Sequence, residues 1–358
     1  MNATTPSTIP STMTAAVLYG KEDVRIEQVP VPQIGEGEIL VRVKAALTDG
    51  TDLKVFLRGY HSKMIVPPAL FGHELAGTVE QVGAGVKNLE VGMRVVALNS
   101  APCDICYFCQ HRQQNLCNDL LFNNGAYAEF IRIPRRIVEK NTLVIPSHVD
   151  FATAAMTEPL SCVVRGIEET GVHAGETVIV LGGGPIGLSF MQVAAIEGCR
   201  VIAIVKHPEQ VILAKHFGAQ DVVQLVSSDD PIKDAIALTP DSRGADAVIE
   251  AVGRPEAWQQ AVQLVRRGGV VNFFGGPPSG TKVELDTNLL HYSEITLKAS
   301  FHHTPTTVRK AFKLLCDGKV KSKDYITNRA PIEKVAEVLR SMSQRGSSIK
   351  TEIVPGKV

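Results

Sequence analysis

A glycine-rich turn between an apolar run and a helical stretch constrains this chain most. The apolar run Val178-Ile179-Val180-Leu181 leads directly into Gly182-Gly183-Gly184-Pro185-Ile186-Gly187. A helix is predicted from this turn to about Glu197, and Gly198 stands where a C-terminal glycine cap belongs. Further short apolar runs, most of them separated by helical stretches, follow at residues 201–205, 221–225, 245–251, 270–274 and 295–301. Repeated strand–helix units with buried strands predict an α/β fold with a doubly wound parallel sheet.

The glycines of this turn match the needs of a dinucleotide site. Gly182 permits the tight turn, Gly184 lets the backbone approach a pyrophosphate, and Gly187 lets helix and strand pack closely. The first helical turn, with Pro185 and Ile186, then presents free N–H groups and the positive end of the helix dipole. A glycine-rich turn without a ligand is the alternative, but the βα units that follow favour dinucleotide binding.

The end of the second strand indicates which cofactor is preferred. NAD sites carry an acidic residue there that binds the ribose 2′-hydroxyl. This chain has Val205-Lys206-His207 and no acid, and Lys206, with His207 beside it, can pair with a 2′-phosphate. Most lysines are simply exposed charges, which is the alternative. We therefore predict that NADP is preferred over NAD.

Four of the seven cysteines crowd into fifteen residues, as Cys103-x2-Cys106-x2-Cys109-x7-Cys117. Short spacings let successive turns point four thiolates at one centre, which is the closed ligand set of a structural zinc. Labile disulfides are the alternative. The odd cysteine count indicates a reducing compartment, so we expect a cytoplasmic protein.

Charge and hydropathy exclude several classes of function. Lys+Arg and Asp+Glu both total 37, so the net charge gives no reason to expect nucleic acid or an anionic membrane as a partner. No apolar stretch is long enough to span a bilayer. The Thr/Ser/Pro-rich start lacks the basic and apolar regions of a secretory signal, and residues 1–12 are predicted to be a disordered tail.

Residues from about 14 to 145 show short β-like runs separated by glycine and proline, which predict a compact β unit. Scattered polar fragments in and after this unit carry ligand-type side chains: Asp49, the pair His73 and Glu74, and Glu158. A catalytic zinc needs three protein ligands and one open position. Each fragment alone is ordinary, so they form a site only if the fold brings them together.

Several segments together resemble the zinc-containing medium-chain alcohol and polyol dehydrogenases. They run in family order over nearly the whole chain: Phe71-Gly72-His73-Glu74-Leu75-Ala76-Gly77, the four-cysteine lobe, Gly125-Ala126-Tyr127-Ala128-Glu129, Glu158-Pro159-Leu160-Ser161 and the glycine-rich turn. The resemblance implies a GroES-like β-barrel catalytic domain formed by residues 13–164 and 302–358. It also implies a Rossmann cofactor-binding domain formed by residues 165–301.

The resemblance assigns a catalytic zinc to Asp49, His73 and Glu158, with Glu74 as an alternate or outer ligand. Glu at the third position is typical of polyol and sugar dehydrogenases. Most of the family has Cys where this chain has Asp49, although some glucose dehydrogenases of the family carry Asp before Gly-Thr-Asp. Because an oxygen ligand is harder than a thiolate, Mn²⁺ and Co²⁺ should be more acceptable here.

The resemblance also implies a proton relay. The family passes the hydroxyl proton through a Ser or Thr two residues after the first ligand, which is Thr51 here. The next station is often His, but this chain has Lys54. A lysine shuttles a proton only if burial lowers its pKa. Otherwise Lys54 is a solvated charge or a substrate contact.

The predicted function is hydride transfer between NAD(P) and a small-molecule secondary alcohol of the polyol or sugar class, assisted by one catalytic and one structural zinc. Two alternatives remain open: a zinc-free reductase of enones or quinones from the same superfamily, and a non-catalytic NADPH-binding protein. Analogy with the family suggests a homodimer or homotetramer joined through the Rossmann sheets.

Overall fold

The computed structural model describes residues 9–61, 63–343 and 348–356. The chain divides into two units, one formed by Met1–Glu158 with Ser322–Val358 and the other by Pro159–Lys321. Most of the predicted tail, residues 1–8, lies outside the described residues, and the first strand begins at Thr12. None of the helices described is both long and apolar enough to cross a membrane.

The chain up to residue 155 is rich in short strands. The strands are β1 (Thr12–Gly20), β2 (Asp23–Pro30), β3 (Ile39–Leu47), β4 (Ala69–Leu70), β5 (Glu74–Val82), β6 (Arg94–Ala97), β7 (Ser100–Ala101), β8 (Leu121–Phe122), β9 (Phe130–Ile133) and β10 (Thr142–Val144). The helices are α1 (Gly50–Arg58), α2 (Tyr107–Gln110), α3 (Arg135–Asn141) and α4 (Phe151–Ala155).

The remaining chain alternates strand and helix before it returns to mixed patterning. The helices are α5 (Thr157–Thr170), α6 (Pro185–Ile196), α7 (Pro208–His216), α8 (Pro231–Ala237), α9 (Pro255–Leu264), α10 (Thr287–Tyr292), α11 (Pro305–Cys316), α12 (Ser322–Tyr325) and α13 (Val335–Ser343). The strands are β11 (Thr177–Leu181), β12 (Arg200–Val205), β13 (Asp221–Gln224), β14 (Ala245–Glu250), β15 (Val265–Phe273), β16 (Thr296–Ala299), β17 (Ile326–Pro331) and β18 (Lys350–Val354).

The first unit is built on mostly antiparallel strands. Its main sheet has the order β10-β6-β5-β3-β18-β17, with β9 also paired to β3, and a smaller sheet has the order β2-β1-β4. Alternate residues of β3 and β5 point into a shared core that includes Ile39, Val41, Leu75 and Val79. Because β18 pairs with β3, the end of the chain completes this unit.

The second unit contains the predicted parallel sheet. Its six strands have the order β13-β12-β11-β14-β15-β16, and every neighbouring pair is parallel. This is the doubly wound order in which the first strand lies in the middle of the sheet. The strand β11 is buried throughout, and β12 and β14 are buried except for one residue each, as the sequence runs predicted. Gly198 has φ +83° just after α6.

The boundaries between the two units fall after residues 158 and 321. The resemblance implied boundaries after residues 164 and 301. The helix α11 accounts for most of the second difference. Its Lys310 forms an ion pair with Glu168 of α5, and Lys321 donates a hydrogen bond of 2.6 Å to the carbonyl of His216. These contacts keep residues 302–321 with the parallel sheet.

Candidate functional site: two metal-type clusters and a glycine-rich turn

The first unit brings together the four ligand-type residues that the sequence scatters. Asp49, His73, Glu74 and Glu158 each offer one ligand atom, and these atoms all lie within 4.8 Å of one another. All four side chains are buried. They come from the start of α1, the bend before β5, the first residue of β5 and the first turn of α5. Three carboxylates and an imidazole in such a group form a donor set suited to a divalent metal.

Asp49 is a candidate ligand and also the N-cap residue of α1. Its side chain accepts the backbone N–H of Thr51, and its own N–H donates to Asp52 Oδ2 at 3.1 Å, which completes a capping box. Burial raises the pKa of Asp49, but the positive charges of Lys350 and His73 outweigh it and lower the pKa to about 2. The carboxylate is therefore ionised and already oriented by the helix that it caps.

Asp52 holds the histidine of the cluster, a role that the sequence reasoning did not assign. His73 Nδ1 lies 2.9 Å from Asp52 Oδ1, and both groups are buried. Burial alone lowers the pKa of His73, but the Asp52 carboxylate raises it well above the ordinary value. An imidazole that donates through Nδ1 to a carboxylate presents Nε2 as its free ligand atom. The two residues are 21 positions apart, and no local sequence signal indicates the pair.

Lys350 is a second functional residue that the sequence reasoning missed. Its Nζ lies 2.8 Å from Glu74 Oε1, and the two side chains are 2% and 0% exposed. Burial lowers the pKa of Lys350, but Glu74 and Asp49 outweigh this effect and raise it. A permanently charged ammonium therefore faces the carboxylates of the cluster. Glu74 Oε2 is buried and has no hydrogen-bond partner among the described residues.

Glu158, like Glu74, is a carboxyl group of the cluster whose pKa burial raises. Burial raises its pKa to about 7, although the charge of His73 opposes this shift. Below about pH 7 the metal-free site therefore holds a proton at Glu158, and a cation that binds there must displace it.

The two predicted relay residues lie on α1. Thr51 is half-buried in the first turn, where its hydroxyl and its N–H both contact the Asp49 carboxylate. Lys54 is exposed one turn later. The helix thus brings Thr51 to the cluster, while Lys54 lacks the burial that a proton-shuttling lysine needs.

The four cysteines form the predicted compact group. Cys106 caps α2, Cys109 lies within it, and the Sγ–Sγ distances are 3.5 Å for 106–109, 3.4 Å for 103–117, 3.9 Å for 106–117 and 4.0 Å for 103–109. A tetrahedral Zn²⁺ with bonds of about 2.3 Å to sulfur needs sulfur–sulfur edges of about 3.8 Å. All four thiols are free of disulfides. Backbone N–H groups, chiefly that of Asn118, lower the pKa of Cys106 to about 6, which favours the thiolate.

The second unit places the glycine-rich turn at the carboxyl end of β11. Gly182 has φ +111°, which favours glycine, and a Cβ on Gly187 would collide with the carbonyl oxygen of Gly182. Gly184 is the N-cap of α6 and Pro185 its first residue, with Ile186 half-buried behind it. The free N–H groups of this helix start are the feature that binds a phosphate group.

Gln210 joins this turn to the end of β12. Its Oε1 accepts the N–H groups of Lys206 at 3.1 Å and His207 at 3.0 Å, and its Nε2 donates to the carbonyl of Gly183 at 3.3 Å. Val205 is buried at the end of the strand, Lys206 is exposed and His207 is half-buried. The predicted cofactor residues of the two loops are therefore held side by side.

Comparison with known proteins also indicates a metal-binding dehydrogenase. The family model described as the alcohol dehydrogenase GroES-like domain matches residues 35–145, and the model described as zinc-binding dehydrogenase matches residues 185–317. The L-threonine 3-dehydrogenase of Bacillus licheniformis is 33% identical to this chain over 94% of the chain and 96% of that protein. The chain belongs to the zinc-type medium-chain alcohol and polyol dehydrogenases.

Two further similarities cover this dehydrogenase almost completely. The sorbitol dehydrogenase of Bacillus subtilis (strain 168) is 29% identical over 98% of this chain and 99% of that protein. A solved structure of a zinc-binding dehydrogenase from Sinorhizobium meliloti 1021, bound to NADP, is 30% identical with a TM-score of 0.89, over 97% of this chain and 100% of that one. The predicted GroES-like and Rossmann architecture is confirmed.

Membership of this family also decides between the functions that the sequence left open. The chain is an NAD(P)-dependent oxidoreductase of the alcohol and polyol dehydrogenase type, as its motifs predicted. The zinc-free reductase and the non-catalytic NADPH-binding protein are not favoured.

Proposed function

We propose that this dehydrogenase interconverts a polyol- or sugar-class secondary alcohol and its ketone, with a divalent metal at Asp49, His73 and Glu158 and with NADP preferred over NAD. The observation that carries the proposal is the buried convergence of these three side chains within 4.8 Å of one another. The named relatives include dehydrogenases of sorbitol and L-threonine. Both substrates carry a secondary hydroxyl next to a second polar group, and we expect the same feature in the substrate here.

A metal held at this centre supplies Lewis acidity, which polarises an alcohol or carbonyl oxygen. The residues of the chain set how strongly it is held. Asp52 fixes the His73 ring, the α1 cap fixes Asp49, and Lys350 holds one oxygen of Glu74, which leaves Glu74 as an alternate or outer ligand. Because the set has no thiolate, we expect Mn²⁺ and Co²⁺ to support activity beside Zn²⁺.

Thr51 is our proposed first station for the proton of the substrate hydroxyl. A hydroxyl group can accept one proton while it donates another, and that of Thr51 contacts the Asp49 carboxylate. We interpret the exposed Lys54 as a solvated charge or substrate contact beside this relay.

The NADP preference rests on the end of β12. This strand ends at Val205 without an acidic residue, and the exposed Lys206 follows with its backbone held by Gln210. A cation can pair with a 2′-phosphate, whereas the acid of a NAD site would repel it. Gly182, Gly184 and Gly187 are our proposed pyrophosphate-binding positions.

We also propose a structural zinc at Cys103, Cys106, Cys109 and Cys117, on the sulfur–sulfur distances given above. The free cysteines fit a cytoplasmic location. The exposed edge of the parallel sheet supports a homodimer or homotetramer: β16 ends the sheet, and Tyr292 close to it is 75% exposed. A strand edge of this kind is a template for pairing with a second copy.

The decisive experiment combines metal content with a substrate panel. Protein purified without chelator should contain close to two metal ions per chain by elemental mass spectrometry. It should oxidise polyols, aldoses or amino alcohols faster with NADP than with NAD. About one zinc per chain, with no activity after addition of Zn²⁺, Mn²⁺ or Co²⁺, would refute the proposed metal-dependent reaction.

A further inference from the structure

Tyr127 is a buried residue whose hydroxyl points at Asp52, the carboxylate that contacts His73 of the candidate metal centre. Its side chain is 0% exposed, and its OH lies 2.5 Å from Asp52 Oδ2 and 3.2 Å from the carbonyl of Leu47. A phenol has one proton, and the shorter contact is to the carboxylate. An O–H to carboxylate distance of this length is typical of a strong, charge-assisted hydrogen bond.

The Asp52 carboxylate is held by donors from three separate segments. Oδ1 faces His73 Nδ1 at 2.9 Å, while Oδ2 accepts the Tyr127 hydroxyl and, at 3.1 Å, the N–H of Asp49. Asp52 is itself 1% exposed, so bulk water does not reach its carboxylate. The plane of this carboxylate therefore depends on Tyr127 as well as on the capping box of α1.

The ring of Tyr127 is fixed by the residues that precede the histidine. Gly72 has φ +86°, and a Cβ at this position would lie 2.7 Å from the Tyr127 ring. Phe71 packs edge to face on the same ring, with the centroids 5.8 Å apart. The ring thus sits against the backbone that carries His73, and its hydroxyl has little freedom to turn away.

We infer that Tyr127 is a positioning residue of the metal centre, which acts through Asp52 to orient His73 toward the metal. The inference rests on the proposed metal site. Partners behind a metal-binding histidine typically change metal affinity by about 10- to 100-fold when they are removed. Tyr127 is one step further from the ligand than Asp52, so loss of its hydroxyl should weaken the metal about 10-fold.

The test is Tyr127→Phe, which keeps the packed ring and removes only the hydroxyl. Protein with zinc in the four-cysteine site is depleted of metal at the second centre and titrated with Co²⁺ against a competing chelator. The absorption spectrum of the bound Co²⁺ is recorded as well. We expect about 10-fold weaker binding and a shifted cobalt spectrum. Tyr325→Phe, at another fully buried tyrosine that is not part of the cluster, should leave both unchanged.

A double-mutant cycle with Asp52→Asn separates positioning from general damage. If Tyr127 acts through Asp52, removing its hydroxyl in the Asp52→Asn background should weaken Co²⁺ binding far less than in the wild type. Additive effects, or wild-type affinity and spectrum in Tyr127→Phe, overturn the inference while the proposed metal site stands. Failure of the wild-type protein to bind Co²⁺ at the second centre overturns the proposed function and this inference together.

Discussion

The ion pair between Lys350 and Glu74 offers the sharpest test of how the cluster is stabilised. The Nζ–Oε1 distance is 2.8 Å, and neither side chain is more than 2% exposed. Replacing Lys350 by Met removes the ammonium but keeps most of the side-chain volume. Glu74 then has a buried carboxylate that has lost the cation paired with it, and breaking such a pair typically costs about 3–5 kcal/mol.

The carboxyl group can limit this cost by taking up a proton. From its ordinary pKa of 4.5, holding Glu74 neutral costs about 3 kcal/mol at pH 7 and about 1.4 kcal/mol at pH 5.5. Burial already raises the pKa of Glu74 well above its ordinary value, although the charge of Lys350 opposes this shift, and loss of the ammonium raises it further. Stability is therefore lost as the pH rises from 4.5 toward the folded-state pKa, and more is lost in the variant than in the wild type. We therefore expect Lys350→Met to be destabilising at pH 7 and markedly less so at pH 5.5.

Hydrogen exchange of the metal-free protein, followed by mass spectrometry, measures this loss of stability locally. The free energy of opening at the amides of β3, β5 and β18 should fall by at most about 3 kcal/mol at pH 7, because burial already raises the pKa of Glu74 in the wild type. The double variant Lys350→Met, Glu74→Gln should recover most of this loss, since it buries no unpaired charge. Lys334→Met, which breaks an exposed pair with Glu337, is the surface control and should change little. A loss below about 1 kcal/mol at pH 7, or one that does not depend on pH, would refute this account of Lys350.

Three further predictions concern the ligands and the cofactor. Both Asp49→Asn and Asp49→Ala remove a ligand and should lose the second metal, but only Asp49→Ala also removes the helix cap and should make the metal-free protein about 1 kcal/mol less stable in thermal unfolding. Equal stability of the two variants would contradict the capping role. Because the pKa of Glu158 is about 7 and that of His73 is raised, protons compete with the metal, and affinity measured by calorimetry should fall at least about 10-fold from pH 7 to pH 6; a flat profile would show that these groups are not ligands. Lys206→Glu should repel the 2′-phosphate and shift the ratio of kcat/KM for NADP over NAD at least about 10-fold toward NAD, with Lys215→Glu on the following helix as the control, and an unchanged ratio would remove Lys206 from the site.

Local spacing explains what the sequence could predict. The glycine-rich turn and the four-cysteine loop are each made within a short segment, so the chain between the residues leaves few ways to arrange them. Their prediction needed only elementary backbone geometry and ligand chemistry. Asp49, His73 and Glu158 lie far apart in the sequence, and only the family resemblance joined them before the structure did.

Residues behind the ligands were not predictable in this way. Asp52 and Tyr127 are 75 positions apart, and Lys350 and Glu74 are 276 positions apart. Nothing in their local sequence distinguishes them, since most lysines are exposed and most buried tyrosines serve the core. Their roles depend on contacts that exist only after the sheet has closed.

The register of the main sheet shows how the last strand completes the centre. Leu47 at the end of β3 lies opposite Glu74 of β5 on one side and opposite Glu352 of β18 on the other. Lys350 precedes Glu352 by two residues and so projects from the same face of β18. A shift of β18 by one residue would turn Lys350 to the opposite face and leave Glu74 without its cation. The pairing of β18 with β3 is therefore a requirement of the proposed metal centre as well as of the barrel.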